Sequence, residues 1–540
     1  MHPFRIRSVV FVFTALLVSL PVLALISSWL EWNTESAQVL SELTQTVLPD
    51  YLITSLLLCA GVAVGVTVLG LSAAAAVTLF RFPGHKFFEW ALLLPMAMPA
   101  YVVAYAYTDF FQFSGTLQTF IRATWSLEGR VFPEIRSLGG AIFVFSLTLY
   151  PYVYLLARTA LSERAANLME AARMLGAPLH RRITEVALPL ARPAVAAGVA
   201  LALMETLADF GVSSYFGIQT FTAGVYKAWL IMDNRIAAAQ LATLLLGVVL
   251  ILLQLEKQAQ ARMRFTDSKN TASNSREAQP ARLSAAKGMA ITTWCSLLVF
   301  LGFGLPILLM LKPLLLSETL IPWERFLEWS FNSLRLGGIT AFLAVSFSLL
   351  VAFSLRNKAD IFARFISQLI GLGYAIPGAV VVVGLLLPVM WIQKQWPESH
   401  VGFWLTASVL GLIWAYLVRF CAVALQSIQS GYARIPSSLD DSARTLGVTG
   451  LALLSRVHAP LLKRSVFAAA LLVFVDVMKE LPATLVLRPF DTDTLAVVAF
   501  QLARDERLGE AALPSLALVL VGLIPVLLLS RAMRQTNRAA

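Results

Sequence analysis

The chain has 540 residues, of which 58% are hydrophobic and only 14% charged, with a mean hydropathy of +0.75. That composition excludes an ordinary soluble protein and implies an all-α polytopic membrane protein. The net charge of +11 clusters beside the apolar runs, where it serves orientation and lipid headgroups, so no nucleic-acid partner is implied.

In chain order, Arg5 and Arg7 precede an apolar run from about Val9 to Trp29. It is too long for a signal-peptide core and is expected to stay as a first span. Further spans are expected near residues 51–79, 88–109, 139–158, 193–215 and 236–255. Pro95 and Pro99 should kink the third. Residues 257–288 differ in kind: Lys257, Arg262, Arg264, Lys269, Arg276, Arg282 and Lys287 stand among Ser, Asn, Gln and Ala, as in a solvated linker. Six more spans follow, near 289–312, 333–355, 365–391, 403–426, 464–488 and 511–530. The expected organisation is therefore a first transmembrane domain over 1–256, a polar linker over 257–288 and a second domain over 289–540. About 12 helices form two parallel six-helix repeats. Lys and Arg crowd the loops placed inside, among them Arg356, Lys358, Arg434, Arg456 and Lys463, which puts both termini in the cytoplasm. Cys59, Cys295 and Cys421 fall inside apolar runs as packing residues, without disulfide or metal spacing.

Two polar loops interrupt the pattern and repeat each other. The first reads Glu170-Ala171-Ala172-Arg173-Met174-Leu175-Gly176 and, after nine residues, Val186-Ala187-Leu188-Pro189. The second reads Asp441-Ser442-Ala443-Arg444-Thr445-Leu446-Gly447, then Val457-His458-Ala459-Pro460. The offset is constant at 271 residues (441 − 170 = 460 − 189). Earlier in the halves, Ser55/Ser333, Pro99/Pro377, Val102/Val380 and Val103/Val381 match at an offset of 278. Leu168, Ala172 and Leu175, repeated by Leu439, Ala443 and Leu446, make one apolar helical stripe. Gly176 and Gly447 stand where the short helix should end in a left-handed turn. Ser437 and Asp440 are spaced as a capping box after Pro436. The spacing predicts a helix–turn–helix knob, too short to span and shaped to enter a groove in a partner.

The pattern Glu-Ala-Ala, three residues, Gly, nine residues, aliphatic-x-Leu-Pro resembles the signature of the permease subunits of ATP-binding-cassette (ABC) importers. The first copy matches throughout; the second departs at Asp441, Ser442 and Ala459. The resemblance covers nearly the whole chain as two fused permease domains. It implies a type I importer permease fold in a bacterial inner membrane. It further implies that Glu170, Ala171, Ala172, Gly176, Leu188 and Pro189, with Asp441, Ser442, Ala443, Gly447 and Pro460, couple to an ATPase subunit, two copies of it being expected. Residues 203–211 (LMETLADFG), 214–222 (SYFGIQTFT) and 479–484 (KELPAT) resemble the ferric iron branch, whose periplasmic binding protein delivers Fe³⁺. Permeases for thiamine, polyamines or phosphonates are the alternative, and a 12-helix secondary carrier a more distant one.

The chain has no G-x-x-x-x-G-K-[ST] loop, so ATP and Mg²⁺ are expected on the partner and no cofactor on this chain. Its five histidines are scattered, with no metal set and no nucleophile–base arrangement, so a transport subunit is expected and not an enzyme. Four acids stand out in the fifth span of each half: the 271 offset pairs Glu205 with Asp476 and Asp209 with Glu480. The i, i+4 spacing places both acids of a half on one helix face. Measured from Pro193, Glu205 lies ~18 Å and Asp209 ~24 Å along the span. Ionisable groups at such depth face a cavity or a partner, and parallel repeats would turn the two faces toward each other; the four carboxylates are candidates for the path of a hard cation. The competing reading is structural, with Lys479 neutralising Glu480 or Asp476.

Overall fold

The computed structural model describes residues 17–30, 34–163, 165–267, 281–316, 322–357 and 361–539. Helix dominates, as it must where no water satisfies backbone groups. Among the described residues nine helices are long and apolar enough to cross a membrane, and a tenth span is a bent pair. Leu17–Ser27, the described part of the expected first span, is a shorter apolar helix, and Ala459–Lys479 stands where the eleventh span was expected. The only strand pairing among the described residues joins Phe80–Arg81 to Ala281–Arg282.

The chain gathers into two compact units: residues 1–46, 224–246 and 322–498 form one, and residues 47–223, 247–321 and 499–540 the other. Each takes segments from both sequence halves. Of the polar stretch 257–288, residues 268–280 lie outside the described residues. On either side of them, one helix runs Arg235–Asp267 and the next begins at Ala285.

In the unit containing residues 47–223, Leu48–Leu79, Leu138–Glu163 and Leu188–Ala208 pack closely through small residues. A Cβ at Gly65 would lie 2.0 Å from Ser146 Oγ, and one at Gly198 2.7 Å from Val153 Cα. Apolar side chains gain little from leaving lipid for a helix interface, so close backbone approach and dispersion must hold such bundles. In the other unit, Trp323–Asn357, Val409–Tyr432 and Ala459–Lys479 pack on one another.

The prolines act as expected. His85–Ala97 and Ala100–Trp125 meet at 89°, and Pro99 caps the helix Ala100–Phe111. Pro377 occupies the same position before Gly378–Gln395, with nearly the same backbone angles. The repeat pair Ser55/Ser333 also does one job twice: Ser55 Oγ accepts from the Phe221 amide at 3.2 Å, and Ser333 Oγ from the Leu495 amide at 2.9 Å. Each serine satisfies the first backbone donor of a short helix, a group that would otherwise be buried unpaired.

Candidate functional site: the two repeated loops and the broken fifth spans

The loops fold as short helices, Ala165–Met174 and Ser437–Thr445, each closed by the same turn. In the first, the Gly176 amide bonds to Arg173 O at 3.0 Å and the Ala177 amide to Ala172 O at 3.0 Å. In the second, Gly447 bonds to Arg444 O at 3.0 Å and Val448 to Ala443 O at 2.9 Å. Gly176 and Gly447 have φ of +80° and +78°, the left-handed terminator the spacing predicted.

The stripe, however, faces outward. Leu175 is 88% exposed and Leu446 82%, with Leu168, Met174 and Leu439 also exposed, while Ala443 is buried. Apolar side chains held at the tip of a short helix are the kind of surface that marks an interaction site. Asp441 is exposed and pairs with Arg444 at 3.3 Å; the side chain of Glu170 lies outside the described residues. Leu188–Pro189 and Ala459–Pro460 open the fifth-span helices, proline standing in the first turn where no amide partner is needed.

The expected capping box is not present. Ser437 is already helical, Pro436 takes the cap position, and no side chain caps the helix. Asp440 instead turns inward. Its carboxylate accepts from Arg356 Nε at 2.7 Å and Nη2 at 3.2 Å, and His458 Nε2 lies 3.0 Å from Oδ1. Burial pushes the Asp440 carboxyl up, but the hydrogen bonds from Arg356 and His458 and the charge of Arg356 outweigh it and hold the group below its ordinary value. A depressed folded value means that this stabilisation is present above the ordinary carboxylate range and lost only as pH falls through the lowered one, so Asp440 stays charged near neutrality.

A second feature was not legible from the sequence. Between each loop and its span, the chain makes one π-turn, Ile183–Ala187 in the first half and Leu454–His458 in the second, at the 271 offset. Such single wide turns insert a residue into a helix and commonly mark functional positions.

At the far end of the fifth spans two of the four acids have a local role that the spacing did not indicate. The helices stop at Ala208 and Lys479, and Asp209 and Glu480 follow in extended conformation. Each turns forward to cap the next short helix, Gly211–Tyr215 or Pro482–Leu487. Asp209 Oδ1 accepts from the Val212 amide at 2.8 Å. Glu480 Oε1 accepts from the Ala483 amide at 2.8 Å, and Oε2 from the Thr484 amide at 2.9 Å and Thr484 Oγ1 at 2.6 Å. Glu480 is buried and its cation is Arg419, 2.9 Å away, where the sequence had offered Lys479. Glu205 and Asp476 are half-buried in the last turn of their helices. Among the described residues no cluster of three or more His, Cys, Asp or Glu side chains has the geometry to hold a metal ion.

Residues 67–264, which contain the first loop and its spans, match the family described as binding-protein-dependent transport system inner membrane component. That stretch belongs to the permease domains of ABC importers. The permease is 25% identical over 486 residues to the Fe(3+)-transport system permease protein FbpB 2 of Haemophilus influenzae, covering 89% of this chain and 90% of that one. It is 23% identical over 494 residues to the probable ABC transporter permease protein y4fN of Sinorhizobium fredii, covering 86% and 84%. Over 144 residues it is 31% identical to the sulfate transport system permease protein CysT of Escherichia coli, which covers 27% of the permease and 50% of CysT. The type I importer permease fold read from the sequence is thus the fold of this multi-pass membrane protein, and its family works with an ATPase and a substrate-binding protein.

Proposed function

We propose that the permease moves ferric iron, delivered by a periplasmic binding protein, across the inner membrane. The observation that carries the substrate is the end-to-end likeness to a permease named for Fe(3+) transport, covering 89% of the chain, against 27% for the sulfate permease. Both termini and both loops face the cytoplasm in this reading, as the placement of Lys and Arg favours. Two copies of an ATPase, carrying ATP and Mg²⁺, receive the knobs Glu170–Gly176 and Asp441–Gly447. Closure of the ATPases on ATP draws the knobs together and tilts the spans, opening the path toward the loaded binding protein; hydrolysis resets it. The alternative substrates are oxyanions such as sulfate or 2-aminoethylphosphonate, whose permeases match shorter stretches. Uptake into proteoliposomes holding the complete transporter, with radiolabelled ferric iron, sulfate or 2-aminoethylphosphonate on the corresponding binding protein, decides between them. ATP-dependent accumulation of an oxyanion with no iron would overturn the iron reading.

Within this reading Glu205 and Asp476 are the path candidates, since Asp209 and Glu480 are engaged as caps. Each is a hard oxygen donor one helical turn before a break in its span, and Fe³⁺ is a hard cation. Glu205→Gln/Asp476→Asn is expected to reduce iron uptake on the order of tenfold or more while ATPase activity stimulated by the binding protein persists. Full uptake by the double variant would remove both acids from the path.

The two knobs should contribute unequally to ATPase docking. Asp441 is one methylene shorter than Glu170 and already shares its charge with Arg444. Glu170→Ala is expected to weaken association by about 1.5–3 kcal/mol, the worth of a charge-assisted hydrogen bond, and Asp441→Ala by less. Titrating ATPase onto each purified variant measures both; equal losses would show that the shorter acid reaches its partner as well.

A further inference from the structure

The second loop is fastened through polar contacts that the matching described residues of the first do not carry. Four elements converge on the buried Asp440: Arg356 in the last turn of Trp323–Asn357, Tyr432 at the end of Val409–Tyr432, His458 at the end of the π-turn, and the loop helix itself. Arg356 forks onto both Asp440 oxygens, its Nη1 donates to the Tyr432 carbonyl at 3.1 Å, and its Nη2 is also shared with the carbonyls of Ile435 at 2.9 Å and Pro436 at 3.0 Å. His458, fully buried, bridges Asp440 and the Tyr432 hydroxyl, which lies 3.2 Å from Nδ1. A neutral imidazole with its proton on Nε2 satisfies both contacts, donating to Asp440 and accepting from Tyr432. Phe353 lies edge-on to the His458 ring at 5.5 Å and belongs to an apolar cluster with Ala443, Leu453 and Leu454.

Carried to the first half, the polar positions become apolar or small. The 271 offset turns Asp440 into Met169, His458 into Ala187 and Tyr432 into Leu161, and the 278 offset turns Arg356 into Thr78. Met169, Ala187 and Leu161 are buried, and Thr78 bonds its own helix at Ala74 O. Dispersion contacts of this kind are individually weak and non-directional, so they permit small sliding. A bidentate guanidinium–carboxylate pair fixes both distance and angle.

The geometry points to Asp440 and Arg356 as positioning residues that lock the second coupling helix to the ends of the spans beside it, making the second loop the stiffer transmitter of the ATPase stroke and the first the more compliant. This inference rests on the coupling role of the loops but not on the identity of the substrate. A stiff lever delivers displacement to the path, and a loose one dissipates it, so loss of the lock separates ATP hydrolysis from transport.

The test uses the complete transporter in lipid. For Asp440→Asn, amide hydrogen exchange over residues 437–447 should accelerate while that over 165–175 stays as in the wild type. Substrate moved per ATP hydrolysed should fall on the order of tenfold, with hydrolysis itself near the wild-type rate. Arg356→Lys, which keeps the charge but loses the fork, should fall between the two. Unchanged exchange and an unchanged transport-to-hydrolysis ratio in Asp440→Asn would overturn the inference, and so would parallel loss of hydrolysis and transport, which marks general misfolding. If the wild type itself carries no iron, the substrate reading fails while the exchange measurement still decides the lock.

Discussion

Glu480→Ala is expected to destabilise the permease by about 3–5 kcal/mol, because it strands the largely buried Arg419 guanidinium without its carboxylate. The same change orphans the Ala483 and Thr484 amides that begin the helix Pro482–Leu487. The Tyr416 hydroxyl, 2.6 Å from Thr484 Oγ1, and the Tyr226 hydroxyl, which donates to Pro482 O, then hold a turn with no anchor at its centre. The helix Gly378–Gln395 packs tightly on this site, where a Cβ at Gly378 would lie 2.9 Å from Glu480 Oε1. Thermal unfolding of the detergent-solubilised transporter measures the loss. Adding Arg419→Leu to Glu480→Ala should recover part of it, since removing both charges costs less than stranding one. If Glu480→Ala leaves stability intact and abolishes uptake alone, Glu480 belongs to the ion path after all and the cap is incidental.

That outcome separates what the sequence makes legible from what it does not. The knobs, their terminal glycines, the proline-broken third span and the Ser55/Ser333 pair all rest on local chemistry or on one residue type recurring at a fixed offset. Such features survive in a one-dimensional pattern because backbone geometry demands a particular residue at a particular place. The partners of Glu480 and Asp440 come instead from Arg419 and Arg356, 61 and 84 positions away. The first half has Thr148 and Thr78 at the matching places, so no repeat advertised either pair. Ser437 and Asp440 had the spacing of a capping box, but the nearer competition was lost: a buried guanidinium offers a carboxylate two charge-assisted bonds, and a cap amide offers one neutral donor. The capping role of Asp209 and Glu480 was hidden for a related reason, since the i, i+4 rule is silent on caps. That rule presumes a continuous helix, and each helix ends just before its second acid, whose carboxylate begins the next one. The π-turns leave no sequence signal that periodicity detects, because one extra residue in one turn disturbs a 3.6-residue pattern no more than ordinary variation does.

Valine at both Gly176 and Gly447 is expected to abolish transport while the spans insert normally. Both glycines sit at φ near +80°, and a Cβ built at either meets nothing within 4 Å. The penalty is therefore conformational and not steric crowding: about 1–2 kcal/mol for an L-residue in the left-handed region, and more for a β-branched one. The loop helix escapes that strain by unwinding its last turn, which gives up the paired bonds to Arg173 and Ala172 or to Arg444 and Ala443. Leu175 and Leu446, one residue before each glycine, then lose the position in which they are presented to the partner. Asparagine adopts the left-handed conformation at smaller cost, and the surrounding space is open. Gly176→Asn/Gly447→Asn should therefore keep most transport and ATPase association where Gly176→Val/Gly447→Val loses both. Comparing ATPase pull-down and uptake for the two double variants isolates backbone conformation from side-chain bulk. Equal loss in both would mean that the partner's groove requires bare glycine for close approach, and equal retention would mean that the turn does not position the knobs.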